Sequence, residues 1–218
     1  MWLFLLFKLL KMSNKLGLTH VYTGDGKGKT THAIGIAMRA AGQGFKVNIV
    51  QFMKGGAYTG EFITAKNFLP NVEFEQFGKA CIKEQKQLKL LNLEENKPQY
   101  FDYVREDIDC GPCRSCFVND KEQRDYVCAA FEEAKKVTVS GDYDLVVLDE
   151  INMAVKFGFL KVNEVLKLIK NKFENTELIL TGRGAPEELI MVADYASEIK
   201  LIKHPFDKGV SARRGIEY

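Results

Sequence analysis

The chain has 218 residues, of which 46% are hydrophobic and 28% are charged, as in an ordinary globular domain with a substantial core. Its 31 basic and 29 acidic residues give a net charge of +2. This balance argues against a protein that holds nucleic acid by bulk electrostatics, because such domains carry a strong basic excess. We therefore expect no nucleic-acid partner. Since the apolar start of the chain is not followed by a secretory cleavage site, we also expect a cytoplasmic location.

The first ten residues, MWLFLLFKLL, are the most apolar stretch of the chain. A membrane-spanning helix needs about 20 apolar residues, whereas Lys8 interrupts this run and polar residues follow from Lys11. We therefore expect no transmembrane segment. Residues 1–15 are interpreted as an apolar extension that packs on the body or a partner, as a membrane-surface contact, or as sequence upstream of a natural start at Met12.

Apolar runs that suit buried parallel strands then alternate with helical patterns, which is typical of a doubly wound α/β sheet. Strands are predicted at 18–23, 46–52, 72–77, 144–149, 177–181 and 198–202. Helices are predicted at 29–41, 120–139, 162–172 and 186–193. Residues 78–118 are polar, cysteine-rich and too long for an ordinary loop. We therefore predict one domain, 16–218, that carries one insertion.

The segment TGDGKGKTT at 23–31 follows the first strand and opens the first helix. Its glycines let several backbone N–H groups point at one anion, and the lysine and the helix N-terminus add positive charge. Thr23 stands where the ordinary phosphate loop begins with glycine, so the motif is a modified P-loop. The predicted ATP-binding residues here are Gly24, Gly26, Lys27, Gly28, Lys29, Thr30 and Thr31.

The apolar strand at 144–149 ends in two carboxylates, Asp149 and Glu150. Taken alone, such a strand end would also suit a helix cap. Ligands bind at the carboxyl edge of open parallel sheets, however, and hydroxyl and carboxylate oxygens are the ligands that Mg²⁺ prefers. Together with the phosphate loop, the pattern predicts that Thr30, Asp149 and Glu150 hold Mg²⁺ or Mn²⁺ beside a nucleotide.

Four segments, taken in their order along the chain, carry more information than the presence of a P-loop alone. They are VYTGDGKGKTTHAIGIAMRAAGQGFKVNIVQFMKG, DYDLVVLDEINMAVKFGFL, LILTGRGAPEELIMVADYASEI and the closing KHPFDKGVSARRGIEY. Together they resemble the P-loop type of corrinoid adenosyltransferase of cobalamin biosynthesis, over residues 17–77 and 140–218.

This resemblance implies a transferase, in which a corrinoid reduced to Co(I) attacks the 5′ carbon of ATP and triphosphate leaves. It also implies that ATP lies in the loop in an orientation reversed from that in ordinary P-loop NTPases, which exposes the 5′ carbon. The preferred substrate stays open between cobalamin, cobinamide and an earlier intermediate such as cob(I)yrinic acid a,c-diamide.

The resemblance also implies site residues. Lys29, Thr30 and Glu150 are the implied catalytic residues. Arg183, in TGRG, would reach a phosphate or the ribose, with a surface arginine in a turn as the alternative. The further candidates for substrate contact are Gln51, Lys54, Glu61, Phe77, Lys203 and His204.

One family feature, an aromatic-rich turn with tryptophan after the third strand, is missing. The chain has FGKACIKE at 77–84, and its only tryptophan is Trp2. The aromatic residues that could take its place are Phe77, Tyr100, Phe101 and Tyr103.

The insertion instead carries cysteines. Cys110, Cys113 and Cys116 form a C-x₂-C-x₂-C pattern, and Cys81 lies at the front of the same segment. Thiolates at this spacing can converge on zinc or an iron–sulfur cluster, and the alternative is a loop with free thiols. A cluster beside the substrate would suggest delivery of electrons to make Co(I). Cys128 is predicted to pack in the core.

The partners implied are the corrinoid, an electron-donating flavoprotein or ferredoxin, and a second copy of the chain in a homodimer. Two other functions stay open from the residues alone. One is an ATPase or kinase that acts at the γ-phosphate, and the other is a nucleotide-binding metal-cluster protein without turnover. The products separate them, since only the transferase releases triphosphate.

Overall fold

A computed structural model of the protein describes residues 16–55, 59–80 and 118–217. These residues form a sheet of six strands in the order β3-β2-β4-β5-β1-β6, and every neighbouring pair is parallel. The strands are β1 (Thr19–Thr23), β2 (Val47–Phe52), β3 (Val72–Phe77), β4 (Leu145–Asp149), β5 (Glu177–Thr181) and β6 (Tyr195–Glu198). The predicted α/β class with a parallel sheet is confirmed.

Helices cover both faces of this sheet. In chain order they are α1 (Lys29–Gly42), α2 (Gly60–Phe68), α3 (Lys121–Ser140), α4 (Ile151–Lys156), α5 (Val162–Asn171) and α6 (Glu187–Val192), followed by a 3₁₀ turn at Pro205–Lys208. The small residues of α1 and Ala65 of α2 pack on one face, whereas α3, α4, α5 and α6 contribute to the core on the other. All six residues of β2 and all five of β4 are buried, because helices lie on both sides of them.

The ends of α3 illustrate how local sequence sets an element. Asp120 caps the helix by accepting a hydrogen bond from the backbone N–H of Gln123 at 3.0 Å. Gly141 ends it in the left-handed conformation, with φ of 76°, which a glycine adopts without strain.

Three expectations differ from the structure. The last strand lies at Tyr195–Glu198 and not at 198–202, because Tyr195, Ala196 and Ser197 pair with β1 although all four strand residues are exposed and lack an apolar pattern. Cys128 is exposed and not in the core, since the buried face of α3 runs through Val127, Phe131 and Ala134. The helices α2 and α4 were not predicted, because both are short, with 9 and 6 residues.

Within the described residues, no helix is both long enough and apolar enough to cross a membrane. The apolar extension at 1–15 and most of the predicted insertion, 81–117, lie outside the described residues.

Candidate active site

The phosphate loop joins β1 to α1 and is held closed by its own lysine. The Lys29 Nζ donates hydrogen bonds to the carbonyl oxygens of Gly24 and Gly26, both at 2.7 Å. Burial lowers the pKa of Lys29, although the nearby Glu150 carboxylate opposes that effect. Gly24 must be glycine, because its φ is 99° and a Cβ would lie 2.4 Å from the carbonyl oxygen of Ile199.

A buried carboxylate, Asp149, ties the loop to the sheet. Its Oδ1 accepts hydrogen bonds from the hydroxyls of Thr30 at 2.9 Å and Thr181 at 2.6 Å. Its Oδ2 accepts from the Gln51 amide at 2.8 Å and lies 3.2 Å from the Lys54 Nζ. The strand register explains this convergence, since Gln51 is paired with Asp149 across β2 and β4, and Thr181 ends the next strand, β5.

The charge on Asp149 is maintained in spite of burial. Desolvation acts to raise the pKa of Asp149, but Lys54 and the hydrogen bonds from Thr181, Gln51 and Thr30 lower it below its usual range. Desolvation likewise acts to lower the pKa of Lys54, and the Asp149 carboxylate more than reverses this, so that the pKa of Lys54 is raised. The two groups therefore form a charged pair behind the loop.

Glu150 follows this strand in a conformation that is uncommon for a residue other than glycine, with φ of 65°. Its backbone N–H donates to the Thr181 hydroxyl at 3.0 Å. Its Oε2 is buried without a hydrogen-bond partner in the described part of the chain. Burial, and next the Asp149 charge, raise the pKa of Glu150. Such an orphaned carboxylate oxygen is suited to a cation.

These groups surround a cleft with a volume of about 630 Å³. The loop forms its floor, and Lys54, Glu61, Glu150 and Arg183 lie around it. The glycine-rich loop and the start of α1, with Lys29 and Arg183 beside them, make this part of the cleft suitable for a polyphosphate.

The C-terminal segment forms another wall of this cleft through Gly215, Ile216 and Glu217. The Lys27 Nζ lies 2.6 Å from the Glu217 carboxylate and donates to the Ile216 carbonyl oxygen at 3.3 Å. Arg213 binds the same carboxylate through its backbone N–H and its guanidinium group. The segment 213–217 is therefore attached to the phosphate loop through Lys27.

The structure brings most of the predicted site residues into one place. Those that line the cleft are Gly26, Lys27, Gly28, Lys29, Thr30, Thr31, Lys54, Glu61, Glu150, Arg183 and His204. Asp149 and Gln51 lie behind them, fully buried. Phe77 packs against the hydrophobic core, and Lys203 is exposed outside the cleft lining.

Sequence reasoning missed several contributors. Thr181 was visible only as the end of an apolar strand, and its role comes from its position beside Asp149. Gln76 was likewise missed, although it donates a hydrogen bond to the Gln51 side chain at 2.7 Å and so fixes the orientation of that amide. Glu217 could not be found, because its contact with Lys27 joins positions 190 residues apart.

The predicted thiolate site falls on Cys81, Cys110, Cys113 and Cys116, which lie outside the described residues. In the ranges 16–55, 59–80 and 118–217, no group of three or more His, Cys, Asp and Glu side chains could hold a metal ion by itself.

Sequence comparison with known proteins is consistent with a nucleotide site at this cleft. A family model described as ATP:corrinoid adenosyltransferase BtuR/CobO/CobP matches residues 15–110 and 98–218. A corrinoid adenosyltransferase of Pseudomonas aeruginosa is 32% identical over 213 residues, which cover 97% of this chain and 88% of the relative. The corrinoid adenosyltransferases of Escherichia coli and Salmonella typhimurium are each 30% identical, over 97% of this chain and 90% of theirs. The chain therefore belongs to the ATP:corrinoid adenosyltransferase family and adenosylates corrinoids with ATP.

Proposed function

We propose that the 630 Å³ cleft holds the triphosphate of ATP on the phosphate loop, with the 5′ carbon turned toward the corrinoid. The observation that carries the phosphate position is Lys29, which lies in the loop beside Thr30 and close to the charges of Glu150 and Arg183. The direction of the 5′ carbon follows from membership in the adenosyltransferase family. In this arrangement Lys29 leaves the carbonyl oxygens that it now binds and turns toward phosphate oxygens. Arg183, which lines the same cleft, supplies a second positive charge.

The same residues fit a divalent cation. The Thr30 hydroxyl and the unpartnered Oε2 of Glu150 are oxygen ligands of the kind that Mg²⁺ or Mn²⁺ takes together with phosphate and water. Thr30 and Glu150 would hold the ion directly, and Asp149 would orient Thr30. A bound cation would neutralise charge on the triphosphate.

The proposed reaction is a nucleophilic displacement at the 5′ carbon of ATP. The Co(I) of the corrinoid donates an electron pair to the 5′ carbon, a cobalt–carbon bond forms, and the bond from that carbon to the triphosphate oxygen breaks. The electron pair leaves with triphosphate, so charge grows on the leaving group. Lys29, Lys27 and Arg183 stabilise that charge, and the cleft fixes the geometry of attack.

Other expectations about this enzyme remain predictions. A homodimer and a zinc or iron–sulfur site on the insertion cysteines are two of them. An electron-donating flavoprotein or ferredoxin is the third, since the corrinoid must be reduced to Co(I). His204 lies at the cleft but accepts a hydrogen bond from the backbone N–H of Phe206 at 3.1 Å, which supports a role in shaping the wall.

The proposal is tested by anaerobic incubation of the full chain with MgATP and chemically reduced cob(I)alamin. We expect the visible spectrum of an adenosylated corrinoid and one equivalent of triphosphate. Release of orthophosphate without a spectral change would instead place the reaction at the γ-phosphate and would contradict the proposed ATP orientation.

The role of Lys29 gives a further prediction. Replacing Lys29 with methionine should lower kcat/KM for ATP by about 10²- to 10³-fold, as is usual when one preorganised charge-stabilising group is removed. Lys136→Met is the matched control, because Lys136 lies on the exposed face of α3 and pairs only with Glu133 among the described residues. Comparable losses in both variants would show that the effect is not local to the cleft.

A further inference from the structure

A second pocket, of about 340 Å³, adjoins the nucleotide cleft. The two share Lys54, Glu150 and Arg183 in their linings, so a ligand in one lies next to a ligand in the other. The nucleotide cleft is polar, whereas the second pocket is lined mainly by Phe52, Met53, Met153, Phe157 and Phe159. Its volume is at the low end for small-molecule sites, so it suits one edge of a large ligand.

Two polar side chains of this pocket have atoms without a partner among the described residues: Glu150, on the wall shared with the nucleotide cleft, and Gln123. Gln123, in the first turn of α3, is 1% exposed, and neither its Nε2 nor its Oε1 has a hydrogen-bond partner among the described residues. Its backbone N–H is bonded to Asp120, so the helix start fixes where this residue lies. A buried amide with both groups unpaired is costly to folding and is rarely retained without a reason.

We infer that this pocket binds the edge of the corrinoid ring and that Gln123 pairs with one of its peripheral carboxamides. The inference rests on the proposed function, since it needs the corrinoid beside the ATP cleft. The apolar and aromatic side chains pack against the ring edge. The shared wall then places the corrinoid next to the nucleotide.

The chemistry of Gln123 selects a carboxamide over a carboxylate. Corrinoids carry short side chains around the ring that end in carboxylic acids or in carboxamides, according to the stage of synthesis. A carboxamide accepts from Nε2 and donates to Oε1, and so satisfies both groups. A carboxylate accepts from Nε2 but leaves Oε1 unpaired and facing a negative charge. On the shared wall Lys54 and Arg183 attract a carboxylate and Glu150 repels it, and none of the three is hydrogen-bonded to Gln123.

The test compares two chemically reduced corrinoids at saturating MgATP, one with all peripheral side chains as carboxamides (cobinamide) and one with free carboxylates (cobyrinic acid). The measured quantity is the ratio of kcat/KM for the amide to kcat/KM for the acid. We expect Gln123→Leu to lower this ratio about tenfold, because a site built to hydrogen-bond a ligand loses its discrimination when the polar group is removed. An unchanged ratio overturns the inference, and this includes the case in which kcat/KM falls by the same factor with both substrates.

The matched control is Thr138→Val. Thr138 lies on the same helix, about 22 Å farther along its axis, and is also buried with no partner for its hydroxyl within the described residues. This variant should keep the wild-type ratio, and a change like that of Gln123→Leu would overturn the inference. Adenosylation of neither corrinoid by the wild-type enzyme would mark a failure of the proposed function, which is a different result.

Discussion

At the scale of single residues, the site depends on one carboxylate that is kept charged without contact with water. Asp149 is fully buried, and such a charge is tolerated only when it is paired and hydrogen-bonded. Each of its four partners comes from a different element or loop: Thr30 from α1, Gln51 from β2, Lys54 from the loop after it, and Thr181 from β5. The position of the Thr30 hydroxyl, at the start of α1, is thus set by the sheet.

Thr181 has the closest contact in this group, and its removal should be costly. In Thr181→Val, Asp149 loses a donor at 2.6 Å and the Glu150 N–H loses its acceptor. We expect a loss of about 1–3 kcal/mol in the free energy of unfolding, because buried polar groups are left unpaired, and a lower kcat/KM for ATP. Urea unfolding and steady-state rates measure these two effects.

The same substitution at Thr138 is the comparison. Its hydroxyl contacts no hydrogen-bond partner among the described residues, so Thr138→Val should leave the free energy of unfolding unchanged or slightly raised. If both variants lost the same free energy, the hydrogen bond to Asp149 would have no special role.

At the scale of elements, the C-terminal segment is attached to the phosphate loop by charge. Hydrogen bonds from Arg213 have the largest effect on the pKa of Glu217, and those from Lys27 have the next largest. Together they lower this pKa to about 2. Because the folded pKa is below the ordinary value near 4.5, this attachment is complete above about pH 4.5 and is lost as the pH falls toward 2. At neutral pH the segment is therefore held against the cleft.

Replacing Glu217 with glutamine should loosen this segment. The amide cannot form the ion pairs with Lys27 and Arg213, so we expect trypsin to cleave after Arg213 and Arg214 roughly threefold faster, in line with the modest strength of exposed ion pairs. Glu174→Gln removes one negative charge at an exposed position away from the cleft and should not change the rate. Equal cleavage in the wild-type protein and Glu217→Gln would show that the segment is held by other contacts.

The elements also show what the sequence can predict. Buried strands and long amphipathic helices were placed within one or two residues, since their apolar runs are set by the core that they face. The β6 strand was misplaced by three residues at its start and four at its end, because it is exposed and held by backbone pairing with β1. In the site, the loop and Asp149 carry local motifs, whereas Thr181, Gln76 and Glu217 act through contacts between distant parts of the chain. Only tertiary structure reveals such contacts.

At the scale of the whole molecule, the carboxyl and amino ends of the parallel strands carry different kinds of contact. The carboxyl edge carries the cleft, with its orphaned carboxylate oxygen and strained backbone at Glu150. The amino edge carries polar contacts that join strands. His20 on β1 lies 2.6 Å from the Glu177 carboxylate on β5, and the Tyr143 hydroxyl before β4 donates to Glu73 on β3 at 2.7 Å. Substitutions at the amino edge should therefore change stability without changing catalysis.

Tyr143 tests this division through alkaline pH. Burial, and next the hydrogen bond to Glu73, raise the pKa of Tyr143 from 10.0 to about 12. Because the folded pKa is above the unfolded one, the contribution of this tyrosine to stability is complete below pH 10 and is lost as the pH rises toward 12. Between pH 9 and 11, the melting temperature of the wild-type protein should fall by about 1–3 °C more than that of Tyr143→Phe, after allowance for solvent screening. Tyr126→Phe, at an exposed tyrosine of α3, should behave as the wild type does. Adenosylation at neutral pH should be the same in all three proteins, and a loss of activity in Tyr143→Phe would show that the two edges are coupled.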